Sequence, residues 1–187
     1  MAYIISALIG YLLGAIPFGV IVARLRSGRD PRVSGSGHTG GVNTLRSAGR
    51  VAFLITGIGD VTKGLAAVWI VRALGFDDAA AVVASVAAIA GHCWSIYIGF
   101  KGGMGIGTFA GLALYWLPIG LPALIAVWFG LYAIIKHAPR TGVATALTPA
   151  PLFALLGGTP AAIAFGAAGG LVIGIRHLRD WNRVYPA

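Results

Sequence analysis

The sequence predicts an all-α, polytopic membrane protein with seven transmembrane helices, its N-terminus outside and Gly-rich loops on the cytoplasmic side. Three observations carry that prediction. The 187 residues are 58% hydrophobic and only 10% charged, with a mean hydropathy of +0.87, whereas a soluble domain carries roughly a quarter charged residues. Seven apolar runs punctuate the chain. Lys and Arg, finally, are confined almost entirely to alternate connections between those runs.

The first run extends from about Tyr3 to Ala23. It lacks a basic leading segment and its arginines follow it, so it reads as an uncleaved anchor. The next runs are about Val51 to Leu74, Ala79 to Ile98, Ile106 to Trp116, Ile119 to Ile135, Val143 to Leu156 and Ala161 to Ile175. A full crossing takes about 20 residues, so the short fourth run suggests a broken, tilted or re-entrant helix. Ala162, Gly166, Gly170 and Gly174 in the last run form a small-residue stripe suited to close helix packing, and Gly10 and Gly14 do the same in the first. No internal repeat or linker divides the chain, which predicts one domain over residues 1–187.

All Lys and Arg except Lys63 and Arg72 fall on one side of this alternation. The positive-inside rule makes that side cytoplasmic and leaves the N-terminus outside. The formal charge of +9 is therefore largely a topology signal. Cations that follow the membrane face argue against a nucleic-acid binder. Cys93, the single cysteine, allows no internal disulfide and belongs to no metal-ligand pattern.

Topology does not explain the other residues of the first cytoplasmic loop, Asp30 to Arg46. Its glycines can turn backbone N–H groups inward, and Ser36, Asn43 and Arg46 add donors suited to phosphate oxygens. Gly35 to Gly40 match G-x-G-x-x-G, yet no strand precedes them, so a dinucleotide site is disfavoured. A second loop, Phe100 to Thr108, places Lys101, Gly102 and Gly103 before a helix N-terminus, again suited to an anion. Inside the runs, Asp60 and Lys63 at i, i+3 read either as a self-neutralising pair or as a cation reaching a pocket. His92, Arg176 and His177 end spans on the same face. Trp94, Tyr97, Trp116, Trp128, Trp181 and Tyr185 are expected in interfacial belts.

Loop one, loop two, Asp60-x-x-Lys63-Gly64, Gly91-His92, Arg176-His177 and the opening Gly14-Ala15-Ile16-Pro17-Phe18-Gly19 together resemble the bacterial acyl-phosphate-dependent glycerol-3-phosphate acyltransferases, the PlsY family. The resemblance implies a seven-helix enzyme of the bacterial inner membrane with its active site on the cytoplasmic side. It implies acyl transfer from acyl phosphate to the 1-hydroxyl of glycerol 3-phosphate without metal or cofactor, in contact with membrane lipids and supplied by an acyl-phosphate-forming enzyme. Carried over by motif, Ser36, Arg46, Lys101 and His177 are the expected catalytic residues. Gly35, Gly37, Asn43, Lys63, Gly102, Gly103, His92 and Arg176 are the expected phosphate-binding set. The family is thought to use a substrate phosphate in place of a protein base, and no His here is followed five residues later by Asp.

Several positions depart from the family pattern: His38 and Asp180 stand where Asn is usual, Val42 where Thr is, and Met104 where a second Lys of loop two is, while Val143-Ala144-Thr145-Ala146 replaces a serine-rich stretch and the family's terminal Glu is absent. A diverged paralogue with another donor or acceptor is the alternative these departures raise. A small anion transporter is a second, but it predicts an inverted repeat and a polar path to the outer face. The sequence has neither.

Overall fold

The structure, a computed structural model, describes residues 1–185, and among them every regular element is helical. The helices are α1 (Ala2–Gly14), α2 (Phe18–Ser27), α3 (Gly41–Ala73), α4 (Asp78–Cys93), α5 (Ile106–Trp116), α6 (Gly120–Ile135), α7 (Ala138–Ala146), α8 (Pro149–Leu155) and α9 (Pro160–Leu178). Four stretches are long and apolar enough to cross a membrane: Ala2–Ser27, Gly41–Ala73, Asp78–Ile98 and Pro160–Leu178; α5 and α6 are shorter apolar helices.

Proline and glycine account for most departures from the expected runs. Pro17 has no N–H and sits at φ −90°, ψ 69°, so the first run divides into α1 and α2. The expected single run from Val143 to Leu156 is two helices, with Pro149 opening α8. The second run starts ten residues early, at Gly41, because Gly49 at φ 84° joins a preceding amphipathic segment to the apolar one. The third ends at Cys93, and a 3₁₀ turn covers Ile96–Ile98.

The alanine-rich helix α4 lies at the centre, packed against α1, α3, α5 and α9. Ala80, Ala81, Ala84, Ala88 and Ile89 on it are fully buried. Small residues let the backbones close up: Gly10 and Gly14 of α1 rest directly on the main chain at Ala84 and Ala88. On α9, Gly166 and Gly170 rest on Pro149 and Ala146, while Gly169 faces Phe109 and Ile89. The large side chains that remain exposed, such as Phe129 and Ile134 on α6 and Leu171 on α9, suit lipid. This bundle brings loop one, loop two and both ends of the α6–α7 connection to one end of the molecule.

Candidate functional site

At that end lies a cavity of about 710 Å³. Three helices start at its wall: α3 through Gly41, Val42 and Asn43, α5 through Ile106 and Gly107, and α7 through Ala138 and Pro139. The first N–H groups of a helix have no partner within it, and its dipole places partial positive charge there. The N–H groups of Gly41 to Asn43 and Ile106 to Thr108 have no hydrogen-bond partner among the described residues. Arg46, Lys136 and Arg183 add full charges to the wall. Among the described residues, the one carboxylate on it, Asp60, is paired with Lys63 at 2.8 Å. An anion is the ligand such a wall fits.

A second, almost wholly apolar cleft of about 300 Å³ runs between α5, α6, α7 and α9 and shares Ile106, Trp128 and His177 with the first.

Loop one is organised by a single side chain. The Asn43 Oδ1 accepts from the Ser36 N–H at 3.0 Å, and its Nδ2 donates among the carbonyls of Pro31, Ser34 and His38. Gly35, at φ 58°, lies so close to Asn43 Oδ1 that a Cβ there would collide with it. At the loop's start Asp30 pairs with Arg24 at 2.8 Å and Arg32 at 2.7 Å, and the Arg32 hydrogen bonds hold its carboxyl well below the usual carboxylate range.

Loop two is held from below. The Lys63 ammonium forms an ion pair with Asp60 at 2.8 Å and donates to the Ile16 carbonyl at 3.0 Å and to His92 Nδ1 at 2.8 Å. His92 therefore carries its hydrogen on Nε2, which lies against Gly103. The Gly103 N–H donates to the His92 carbonyl at 3.0 Å. Arg176 donates through Nε to the Gly103 carbonyl at 2.9 Å and through Nη2 to the Gly102 carbonyl at 3.2 Å.

The same Nη2 reaches His38 Nδ1 at 3.2 Å, and His38 Nε2 meets Asp180 Oδ2 at 2.6 Å. A guanidinium cannot accept, so Nδ1 is the acceptor and Nε2–H donates to Asp180. Tyr185 donates to the same Asp180 oxygen at 2.6 Å. Burial pushes His38 below its ordinary value against the pull of Asp180. Burial would raise Asp180, but the hydrogen bonds from Tyr185 and His38 outweigh it and keep the carboxyl low. His177 donates from Nδ1 to the Ile173 carbonyl at 2.9 Å. In the neutral ring Nε2 is then an acceptor, and His177 belongs to both the cavity and the apolar cleft.

The expected site residues thus separate into two groups. Ser36, Asn43, Arg46, His92 and His177 line the cavity; Gly35, Gly37, Lys63, Lys101, Gly102, Gly103 and Arg176 do not. Lys63 forms the self-neutralising pair with Asp60, one of the two sequence readings. Gly102 and Gly103 turn their carbonyls to Arg176, and Lys101 is exposed. Trp128 and Tyr185, expected in aromatic belts, stand at the cavity, as does Met104. Lys136 and Arg183 also line it. Both sit among the topology-reporting cations, and only the folding of the α6–α7 connection and the tail against loop one distinguishes them.

Residues 4–186 match a family described as Glycerol-3-phosphate acyltransferase. A protein named Glycerol-3-phosphate acyltransferase from Jannaschia sp. (strain CCS1) is 43% identical over 183 residues, covering 96% of this chain and 88% of that one. One of the same name from Dechloromonas aromatica (strain RCB) is 36% identical over 185 residues, covering 98% and 93%. Among solved structures, the glycerol 3-phosphate form of PlsY, an integral membrane glycerol 3-phosphate acyltransferase, superposes with a TM-score of 0.82 at 26% identity, covering 98% of this chain and 92% of that one.

Proposed function

This chain belongs to the glycerol-3-phosphate acyltransferase family, and from that premise we propose how its cavity carries out the transfer. The protein is a multi-pass membrane enzyme that acylates glycerol 3-phosphate in phospholipid synthesis. The donor we assign is a fatty acyl phosphate, supplied by an acyl-phosphate-forming enzyme. The observation that carries the assignment is the basic cavity, walled by three helix N-termini and Arg46, beside an apolar cleft. A phosphate head with a fatty chain fits that pair of spaces, and a second small phosphate ester fits the remaining cavity.

The 1-hydroxyl of glycerol 3-phosphate attacks the acyl carbonyl. A new ester C–O bond forms, the bond from the acyl carbon to the phosphate oxygen breaks, and the hydroxyl proton leaves on the phosphate. The mixed anhydride is already activated, so the reaction calls for neither a covalent nucleophile nor a metal. What it calls for is placement and stabilisation of charge. Arg46 and the free N–H groups take phosphate oxygens, with the Ser36 hydroxyl beside them. His177, at the junction of the two spaces, accepts the hydrogen bond of the neighbouring 2-hydroxyl through Nε2, which orients the acceptor and leaves the 1-hydroxyl proton to the phosphate. Asn43, Lys63, His92, Arg176 and the loop glycines Gly35, Gly37, Gly102 and Gly103 act by holding the two loops in shape, which is the sense in which the phosphate set reads on this geometry.

The membrane arrangement we propose has seven crossings within one domain: α1 with α2, α3, α4, α5, α6, α7 with α8, and α9. The cavity faces the cytoplasm across the bacterial inner membrane. Labelled glycerol 3-phosphate and acyl phosphate added to inside-out vesicles yield labelled lysophosphatidate and one equivalent of phosphate. Sealed right-side-out vesicles yield none until opened. Absence of product from folded protein, across several chain lengths, overturns the reaction. Equal activity in both vesicle types overturns the orientation.

A further inference from the structure

Lys63 is held by Asp60, Ile16 and His92, and Arg176 by loop two and His38; the cavity wall carries two further cations that the motifs did not single out, Lys136 and Arg183, and Arg183 is the one that packs on loop one. Arg183 follows α9 on a short turn, where the Asp180 N–H donates to the His177 carbonyl at 3.0 Å and the Arg183 N–H to the Asp180 carbonyl at 2.8 Å. Its guanidinium lies on loop one: a Cβ at Gly37 would be 3.4 Å from Nη2. It lines the same cavity as Ser36, Arg46 and Met104.

We propose that Arg183 binds a substrate phosphate, and that the hydrogen-bonded chain Arg176–His38–Asp180–Tyr185 holds it over the cavity. The proposal rests on the reading of this cavity as the acyl-transfer site. Asp180 Oδ2 is already taken by His38 and Tyr185 at 2.6 Å each, and Arg183 Nη1 stands 3.7 Å away. That is close enough for the carboxylate to orient the guanidinium and too far for a hydrogen bond. Among the described residues the Arg183 side chain makes no hydrogen bond at all, and half of its surface is exposed, so its planar fork of donors is open to a phosphate. Met104 on the same wall offers no charge. Beside Arg46 and Lys136, a further charge therefore comes from the tail, clamped through His38 to the arginine that also holds loop two.

Either substrate carries a phosphate, and kinetics of the detergent-purified enzyme, with each substrate varied at saturation of the other, tell them apart. Arg183→Gln raises one of the two KM values about tenfold or more, with kcat far less affected. Arg183→Lys recovers part of the loss, since a point charge replaces the fork. Tyr185→Phe, which slackens the hold on Asp180, raises the same KM by a smaller factor. The KM that moves identifies the phosphate, and Arg26→Gln, at an exposed position on α2, is the control. Melting temperatures close to wild type keep the comparison among folded proteins. Wild-type turnover with both KM values unchanged in Arg183→Gln overturns this proposal alone. A wild-type protein without turnover overturns the reading of the site, and this proposal with it.

Discussion

Asn43 shows how much of the shape of the site depends on one side chain. One amide satisfies the Ser36 N–H and donates among three loop carbonyls. Leaving a buried group of this kind without its partner costs about 1–3 kcal/mol. Asn43→Asp keeps the shape but points a carboxylate oxygen at three carbonyls. Its loss of turnover is therefore expected to equal or exceed that of Asn43→Ala, with a lower melting temperature in both; an active, stable Asn43→Asp would show that the amide is not the hub. At this scale the sequence is partly legible. The spacing of Asp60 and Lys63 allows a salt bridge on one helix face, and the structure forms it. That Asn43 and Arg176 serve the loops and Arg183 faces the cavity is not legible, because each role follows from a partner 5 to 138 residues away in the chain or from the cavity wall itself.

Between elements, the decisive contacts are made by what side chains leave out. Gly14 on α1 rests on the main chain of α4 at Ala88, so any side chain there must push the two helices apart. Gly14→Val is expected to lower the melting temperature by several degrees, in line with the roughly 1–3 kcal/mol that overpacking costs. A wild-type melting temperature would mean that α1 is free to move off α4. The small-residue spacing made this contact legible in advance, as it did the Gly166–Gly170 face of α9. The bounds of α5 were legible too, since an apolar run follows Gly105 directly. The start of α3 was not, because Gly, Ser, Asn and Arg residues have the composition of a loop. Gly49, whose positive φ breaks the helical path, lets this first segment turn out of the apolar helix and lie over the cavity. That turn places Asn43 and Arg46 on a helix where a loop was expected.

Over the whole molecule, the basic excess of the chain resolves into distinct uses. Arg24 and Arg32 clamp Asp30 at the entrance to loop one. Arg140 reaches the Trp181 carbonyl and the Asn182 side chain, fastening the tail to α7. Lys63 and Arg176 are internal braces, and Arg46, Lys136 and Arg183 remain open on the cavity wall. Helix N-termini, open cations and an adjoining apolar cleft then converge at one end of the bundle. We place the acylation of glycerol 3-phosphate at this convergence. Arg46 tests it most directly, because it lines the cavity, is exposed and makes no side-chain hydrogen bond among the described residues. Its removal takes a charge from the site without unbracing a loop. In the lysophosphatidate assay, Arg46→Ala is expected to melt as wild type does while its kcat/KM falls about tenfold or more. A folded Arg46→Ala with wild-type kcat/KM for both substrates would place the reaction elsewhere on the molecule.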